Sequence, residues 1–270
     1  MPARAGAANF VRHAEQSSKW LRISVFQRGA DSGRRRRSHG FTLSTDRYRR
    51  PQLPNDHLMQ ATRICFVRHG ETSWNAEKRI QGNIDVGLDE AGQAQADAAA
   101  RWLSPLPIAA VYSSDLLRAR QTAERLARAL NLAPILRPEF RERRYGLFEG
   151  LTYDQSRSRY PDVYSLFEAR EPDFVIPYGG ESLRQLHLRV SDGLRQLVDD
   201  HRGQTIALVT HGGVLDIVNR VVRGTSLRQP RDFLIPNAGI NWVSAQDGGW
   251  KMEAWGVTDH LTMVGLDELP

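Results

Sequence analysis

Cysteine is nearly absent from this sequence. The 270 residues contain one, Cys65, so no disulfide can close within the chain and no cysteine zinc cluster can be built. A single thiol suits a reducing compartment, and the expected location is cytoplasmic. Long apolar runs are missing as well. None approaches the roughly 20 residues that a membrane-spanning helix needs, so no membrane partner is expected. No group of His, Asp and Glu has convincing metal-ligand spacing, and neither a metal nor any other cofactor is expected. No internal repeat is visible.

What is present is an ordinary globular balance, 40% hydrophobic and 25% charged, which is enough for a sizeable core. The net charge of +6 is unevenly placed. Residues 1–60 hold 12 basic and 4 acidic residues, a net of +8, and residues 61–270 hold 25 and 27, a net of −2. The basicity therefore belongs to the N-terminal segment, and no nucleic acid is expected on the folded domain. Residues 1–58 show no sustained period, few large apolar side chains and the run Arg34–Arg37. That composition cannot offset the entropy of ordering, and a disordered Arg-rich arm is expected. Arg-rich, acid-poor segments also serve as targeting sequences. Met59 stands three residues before the first clear strand, so an upstream extension of the reading frame is a second explanation. The folded domain is expected over 59–270.

From residue 62 the pattern is regular. Arg63 to Val67 is a short apolar run that ends in Arg68-His69-Gly70, as a buried strand with its exit loop would. Asp89 is a plausible N-cap for an Ala-rich helix over Glu90 to Leu103. Ile108 to Tyr112 reads as a second strand. Ser113, Ser114 and Asp115 are placed to cap the helix that follows, through about Leu130. Leu132 to Leu136 reads as a third strand. Leu183, Leu186, Val190, Leu194 and Leu197 mark an amphipathic helix by their spacings of three and four. Ile206 to Val209 is a fourth strand, running into Thr210-His211-Gly212-Gly213 and another helix. Ile240 to Val243 and Met252 to Trp255 read as two closing strands. Strands alternating with helices predict an α/β fold with a largely parallel, helix-covered sheet.

Two histidines occupy equivalent places. His69 and His211 each follow a buried strand and precede glycine. Ligands bind at the carboxyl ends of strands in open α/β sheets, and a following helix offers free amides to an anion. Either His-Gly pair alone would read as a satisfied structural histidine. Two at strand ends, one preceded by Arg68, point instead to a phosphate, which a planar guanidinium fork suits. Arg118 begins another helix after a strand. Its bland reading is a solvated helix-face arginine, as for Arg120, Arg125 and Arg128. Glu142 lies between Arg141 and Arg143 and would by itself read as a surface salt bridge.

The motifs make the resemblance specific. Val67-Arg68-His69-Gly70-Glu71-Thr72, followed by Trp74-Asn75 and Gln81-Gly82, resembles the signature of the histidine phosphatase superfamily, also called phosphoglycerate mutase-like. Ser113 to Thr122 resembles that family's second motif, and Glu142 to Gly146 its acid-bearing segment. Gly179-Gly180-Glu181-Ser182 and Val209-Thr210-His211-Gly212-Gly213 resemble the remaining two. The resemblance implies a three-layer α/β/α sandwich. It implies that His69 is the nucleophile and that Arg68, Arg118 and His211 hold the phosphoryl group, with Asn75 as a further phosphate contact. It makes Glu142 the general acid and places Gln81 and Gly82 at the substrate mouth, beside Tyr145 and Gly212.

Elementary chemistry agrees with these roles. A neutral imidazole must attack phosphorus, and adjacent arginines disfavour its protonated form. Arginines can also neutralise the oxygens of the transferring group, a task metals perform in many other enzymes. The expected activity is metal-independent hydrolysis of a small phosphorylated metabolite through phosphohistidine, by a protein for which a homodimer is allowed. The alternatives are mutase-type transfer and a catalytically silent phosphate- or partner-binding module. Glycolytic mutases of the family carry a lysine and an Arg-Arg pair in the insertion after the acid segment. Tyr153 stands in place of the lysine, and Leu166-Phe167-Glu168-Ala169-Arg170 in place of the pair, which favours hydrolysis. Tyr145, Phe148, Tyr153, Phe167, Phe174 and Tyr178 could line a lid or simply pack a subdomain.

Overall fold

A computed structural model of the chain describes residues 61–246 and 248–262. The arm expected over 1–58 lies outside the described residues. In chain order the elements are β1 (Thr62–Arg68), α1 (Ser73–Ala76), α2 (Glu90–Leu103), β2 (Ile108–Ser113), α3 (Leu117–Ala129), β3 (Pro134–Leu136), α4 (Tyr153–Arg159), α5 (Pro161–Glu168), α6 (Leu183–Asp200), β4 (Thr205–Thr210), α7 (Gly212–Arg223), β5 (Ile240–Gln246), β6 (Gly249–Val257) and α8 (Asp259–Thr262). The strands form one sheet in the order β3-β2-β4-β1-β5-β6. The first four are parallel, and β5 and β6 close the sheet antiparallel.

Alternate residues of a strand point to opposite faces, and here both faces are covered. Ile64, Phe66, Ile206 and Leu208 pack against Leu186, Val190 and Leu194 of α6 and Val214, Ile217 and Val218 of α7. Cys65, Val67, Ala207 and Val209 pack on the other side, against Ala99, Ala100 and Leu103 of α2 and Ala119, Ala123 and Leu126 of α3. The arrangement is the three-layer sandwich expected. No helix among the described residues is long and apolar enough to cross a membrane.

Local chemistry sets the helix starts. The Asp89 carboxylate accepts the Gly92 amide at 2.7 Å and begins α2 as expected. Ser182 and Gln185 form a reciprocal capping box at α6. The cap expected for α3 is corrected. Ser113 completes β2, and Leu116 takes the N-cap position without a side-chain bond. The Leu117 amide instead donates to the Asp85 carboxylate at 2.6 Å, so the acceptor comes from a loop 32 residues upstream. Ser114 Oγ accepts the Leu116 amide just before the helix at 3.3 Å, and Asp115 pairs with Arg141. The third strand is also shorter than expected. Asn131 turns into the left-handed region at φ 55°, and the Leu132 amide still bonds back to Ala127 at 2.8 Å, so pairing starts at Pro134.

The insertion between β3 and α6 packs on itself. Phe148, Tyr164 and Ile176 form a small core with Ile80, flanked by Tyr145, Phe167 and Phe174. Phe148, Phe167 and Phe174 are thus subdomain packing rather than lid lining, and Tyr178 is 88% exposed.

Candidate active site

Strands β1 and β4 are parallel neighbours with Arg68 opposite Thr210, so the residues that follow each strand emerge side by side. The His69 amide donates to the Thr210 carbonyl at 2.9 Å. The two imidazoles face each other with centroids 5.1 Å apart. His69 Nδ1 lies 2.7 Å from the Gly70 carbonyl oxygen. A carbonyl only accepts, so Nδ1 carries the proton and Nε2 keeps a free lone pair. His211 Nε2 lies 2.8 Å from the Ser114 hydroxyl. A hydroxyl donating there leaves the proton on Nδ1, a buried nitrogen with no hydrogen-bond partner. Burial, with the charges of Arg118 and Arg68, pushes both histidines well below 6.5.

Arg118 is fully buried on the first turn of α3. Its two terminal nitrogens donate to the Ile84 and Gly82 carbonyls at 3.0 and 2.8 Å. Burial pushes it down to about 10, against the pull of Glu142 and Asp85. Arg68 donates through Nη1 to the Ile235 carbonyl at 2.6 Å. Burial lowers it too, again opposed by Glu142. The Nε atoms of both arginines are buried without a hydrogen-bond partner. Buried donors are ordinarily satisfied. Two orphaned guanidinium nitrogens and one imidazole nitrogen beside His69 are the donor set an oxyanion takes.

Glu142 is not a surface salt bridge. Both its oxygens accept the Gly213 amide, each at 3.0 Å, and Oε1 also accepts the Arg143 amide at 2.7 Å. The carboxylate thus rests on the N-terminus of α7, where free amides favour a negative charge. A Cβ added to Gly213 would sit 2.2 Å from Oε1, so glycine there makes room for the acid. The backbone around Glu142 is held from α6. Arg189 donates to the carbonyls of Glu139, Arg141 and Glu142 at 2.7–3.1 Å and pairs with the buried Glu181.

The other expected residues gather around this centre. Asn75 Oδ1 accepts from Thr72 and from Asn237, leaving the Nδ2 amide group as a donor. Gln81 is buried and donates to Thr72 Oγ1 at 2.8 Å, so it braces the start of α1 as much as it borders the mouth. Gly82 adopts φ 54° and presents its carbonyl to Arg118. Gly212 lies against Arg68 and Glu142, since a Cβ there would be 3.8–3.9 Å from both. Burial and Glu142 push the Tyr145 phenol well above its ordinary value, and its ring packs edge-on to Phe167 at 6.1 Å.

Three further residues belong to the site. Ser114 bonds His211. Asn237 donates to the His69 carbonyl and to Asn75, each at 3.2 Å. Thr122 Oγ1 accepts the Gly70 amide at 3.1 Å. Asn237 precedes β5, which runs antiparallel to β1 with Ile240 opposite Val67, so the topology delivers it to His69. The Pro236-Asn237 turn before a strand was the available sequence signal. Among the described residues no group of three or more His, Cys, Asp or Glu could hold a metal.

Comparison with known proteins agrees with this geometry. Residues 64–258 match the family model of the histidine phosphatase superfamily, branch 1. The chain is 39% identical over 211 residues to a metal-independent phosphoserine phosphatase of Arabidopsis thaliana, covering 77% of this chain and 86% of that protein. It is 40% identical over 206 residues to phosphoglycerate mutase-like protein 4 of the same plant, covering 75% and 88%. Among solved structures it resembles phosphoserine phosphatase from Entamoeba histolytica in complex with 3-phosphoglyceric acid. The TM-score is 0.68 at 26% identity, over 74% of this chain and 99% of that one.

Proposed function

The chain belongs to branch 1 of the histidine phosphatase superfamily and is a phosphomonoester hydrolase; from that premise we propose that His69 is its nucleophile and that its substrate is a small phosphorylated metabolite of the phosphoserine or phosphoglycerate kind. In the first step His69 Nε2 attacks phosphorus, the ester P–O bond breaks, and Glu142 gives its proton to the departing alkoxide. In the second step water attacks the phosphohistidine and returns a proton to Glu142. The P–N bond breaks, and phosphate leaves with the neutral imidazole restored. Arg68, Arg118 and His211 Nδ1 neutralise and orient the oxygens in both steps.

The observation that carries this reading is the set of buried, unpartnered donors, Arg68 Nε, Arg118 Nε and His211 Nδ1, beside the free lone pair of His69. The test is a panel of phosphoserine, phosphoglycerates, sugar phosphates and nucleotide monoesters assayed in excess EDTA. Release of inorganic phosphate from at least one, lost in His69→Ala, is expected. Activity that needs an added divalent ion, or phosphoryl movement between hydroxyls without phosphate release, would overturn it.

A further inference from the structure

Asp216 lies one turn into α7 and is buried. Its carboxylate meets three guanidinium groups. Arg170 Nη2 is at 2.6 Å, Arg220 Nε at 3.1 Å and Arg231 Nε at 3.1 Å. Burial alone would raise this carboxyl, but Arg220, Arg170 and Arg231 together hold it below its ordinary value. One negative charge thus faces three positive ones, and the node keeps a local excess of two.

Two of the three arginines are otherwise spent inside the fold. Arg170 donates to the Leu227 carbonyl at 2.8 Å, and Arg220 to the Ser226 carbonyl. Arg231 differs. Its side chain is 43% exposed. Among the described residues its Nε bond to Asp216 is its only hydrogen bond, so both terminal nitrogens remain donors. The guanidinium stands beside the Phe233 ring at 6.0 Å. Its segment is tied to the reaction centre, because Arg68 bonds the Ile235 carbonyl four residues on and Asn237 bonds His69. Its charge also bears on Arg68, Tyr145 and Tyr153.

A guanidinium fixed through Nε, with its other edge free, has the geometry of a bidentate donor to a carboxylate. We propose that Arg231 is a specificity-determining residue, which grips a carboxylate that the substrate carries away from its phosphate. Asp216 positions it, and Arg170 and Arg220 keep Asp216 neutralised, so the Arg231 fork is not drawn into the interior. Tyr145 and Tyr153 lie close enough for their phenols to feel the Arg231 charge, and would flank the bound carboxylate. This inference rests on the phosphatase reading and assigns recognition of the substrate's second acidic group to Arg231.

The test compares two matched pairs, 3-phosphoglycerate with glycerol 3-phosphate, and phosphoserine with phosphoethanolamine. The members of each pair differ at the carboxylate. The wild-type enzyme is expected to prefer the carboxylate member in at least one pair. In Arg231→Met the ratio of kcat/KM within that pair should fall by about tenfold or more, since a charge-assisted hydrogen bond is lost, and the fall should appear mainly in KM for the carboxylate member. Arg231→Lys keeps the charge without the fork and should give an intermediate ratio. Asp216 retains Arg170 and Arg220 in both variants, and unchanged melting would exclude misfolding as the cause. An unchanged ratio in Arg231→Met overturns the inference. So does a wild-type enzyme that turns over p-nitrophenyl phosphate but does not favour the carboxylate members. A wild-type enzyme inactive on every phosphomonoester overturns the phosphatase reading itself.

Discussion

The imidazoles of His69 and His211 stand 5.1 Å apart, centre to centre, with their planes inclined at 56°. Two buried rings this close, with Arg68 and Arg118 beside them, cannot share the site with a further positive charge. Burial and these arginines hold both rings in the neutral form well below pH 6.5. The lone pair on His69 should therefore survive mild acid. We predict that kcat/KM, corrected for the substrate's own phosphate ionisation at about pH 6, shows no inflection from His69 or His211 at 6.5. An inflection there that disappears with a conservative change at His211 would contradict this.

The same shift has a consequence for stability. In the unfolded chain each histidine takes a proton near 6.5. In the fold it does so only at lower pH. Below 6.5 the unfolded state thus binds more protons, and stability must fall as pH drops through that value. Thermal melts from pH 8 to pH 5.5 should show a declining Tm below about 6.5. The decline should be smaller in His211→Gln, which removes one of the two groups.

Glu142 and Gly213 form a unit. Glu142→Gln should slow turnover of an alkyl phosphate by about 10²–10⁴-fold and that of p-nitrophenyl phosphate far less, since p-nitrophenolate leaves without a proton. In Gly213→Ala the new Cβ would sit 2.2 Å from Oε1, so the carboxylate must move. The alanine variant should show the same dependence on leaving group. Equal small losses on both substrates would return Glu142 to a structural role.

Gly92 separates packing from helix propensity. Gly92 stands in the first turn of α2, and inside a helix alanine is ordinarily better than glycine by up to about 1 kcal/mol. Here a Cβ at Gly92 would sit 1.9 Å from the Glu71 carbonyl oxygen, and one at Gly70 2.3 Å from that of Gly92. The two glycines let α2 press its backbone against the loop that carries His69. Gly92→Ala should therefore destabilise the fold, by roughly 1–3 kcal/mol as overpacking usually does, and lower activity with it. A raised Tm would show that propensity wins and that the contact is unimportant.

The sheet and the chemistry were legible in the sequence for different reasons. Ile64 to Val67 and Ile206 to Val209 are apolar because both faces of the sheet are covered, which is why they stood out as continuous runs. His69 and His211 were legible because each ends such a strand. Arg118 was separable from Arg120 and Arg125 only by its motif. Its burial on the Gly82 and Ile84 carbonyls is a tertiary fact. The cap of α3 differs from the expectation because the Leu117 amide finds its acceptor in Asp85, on a distant loop, while Ser114 reaches only the Leu116 amide before the helix. Asn237 carries only the weak signal of a Pro-Asn turn before a strand, and Arg231 carries none. They reach the site because β5 returns antiparallel beside β1 and because Asp216 gathers arginines from three segments.

The central claim is that His69 carries the phosphoryl group covalently, and trapping that intermediate tests it most directly. The enzyme is mixed briefly with a substrate labelled in its phosphate, quenched in denaturant, and the label is followed in the protein. A phosphoprotein labile in acid and stable in base is expected, with the label on a peptide containing His69 and none in His69→Ala. Label on another residue, or full turnover by His69→Ala, would contradict it.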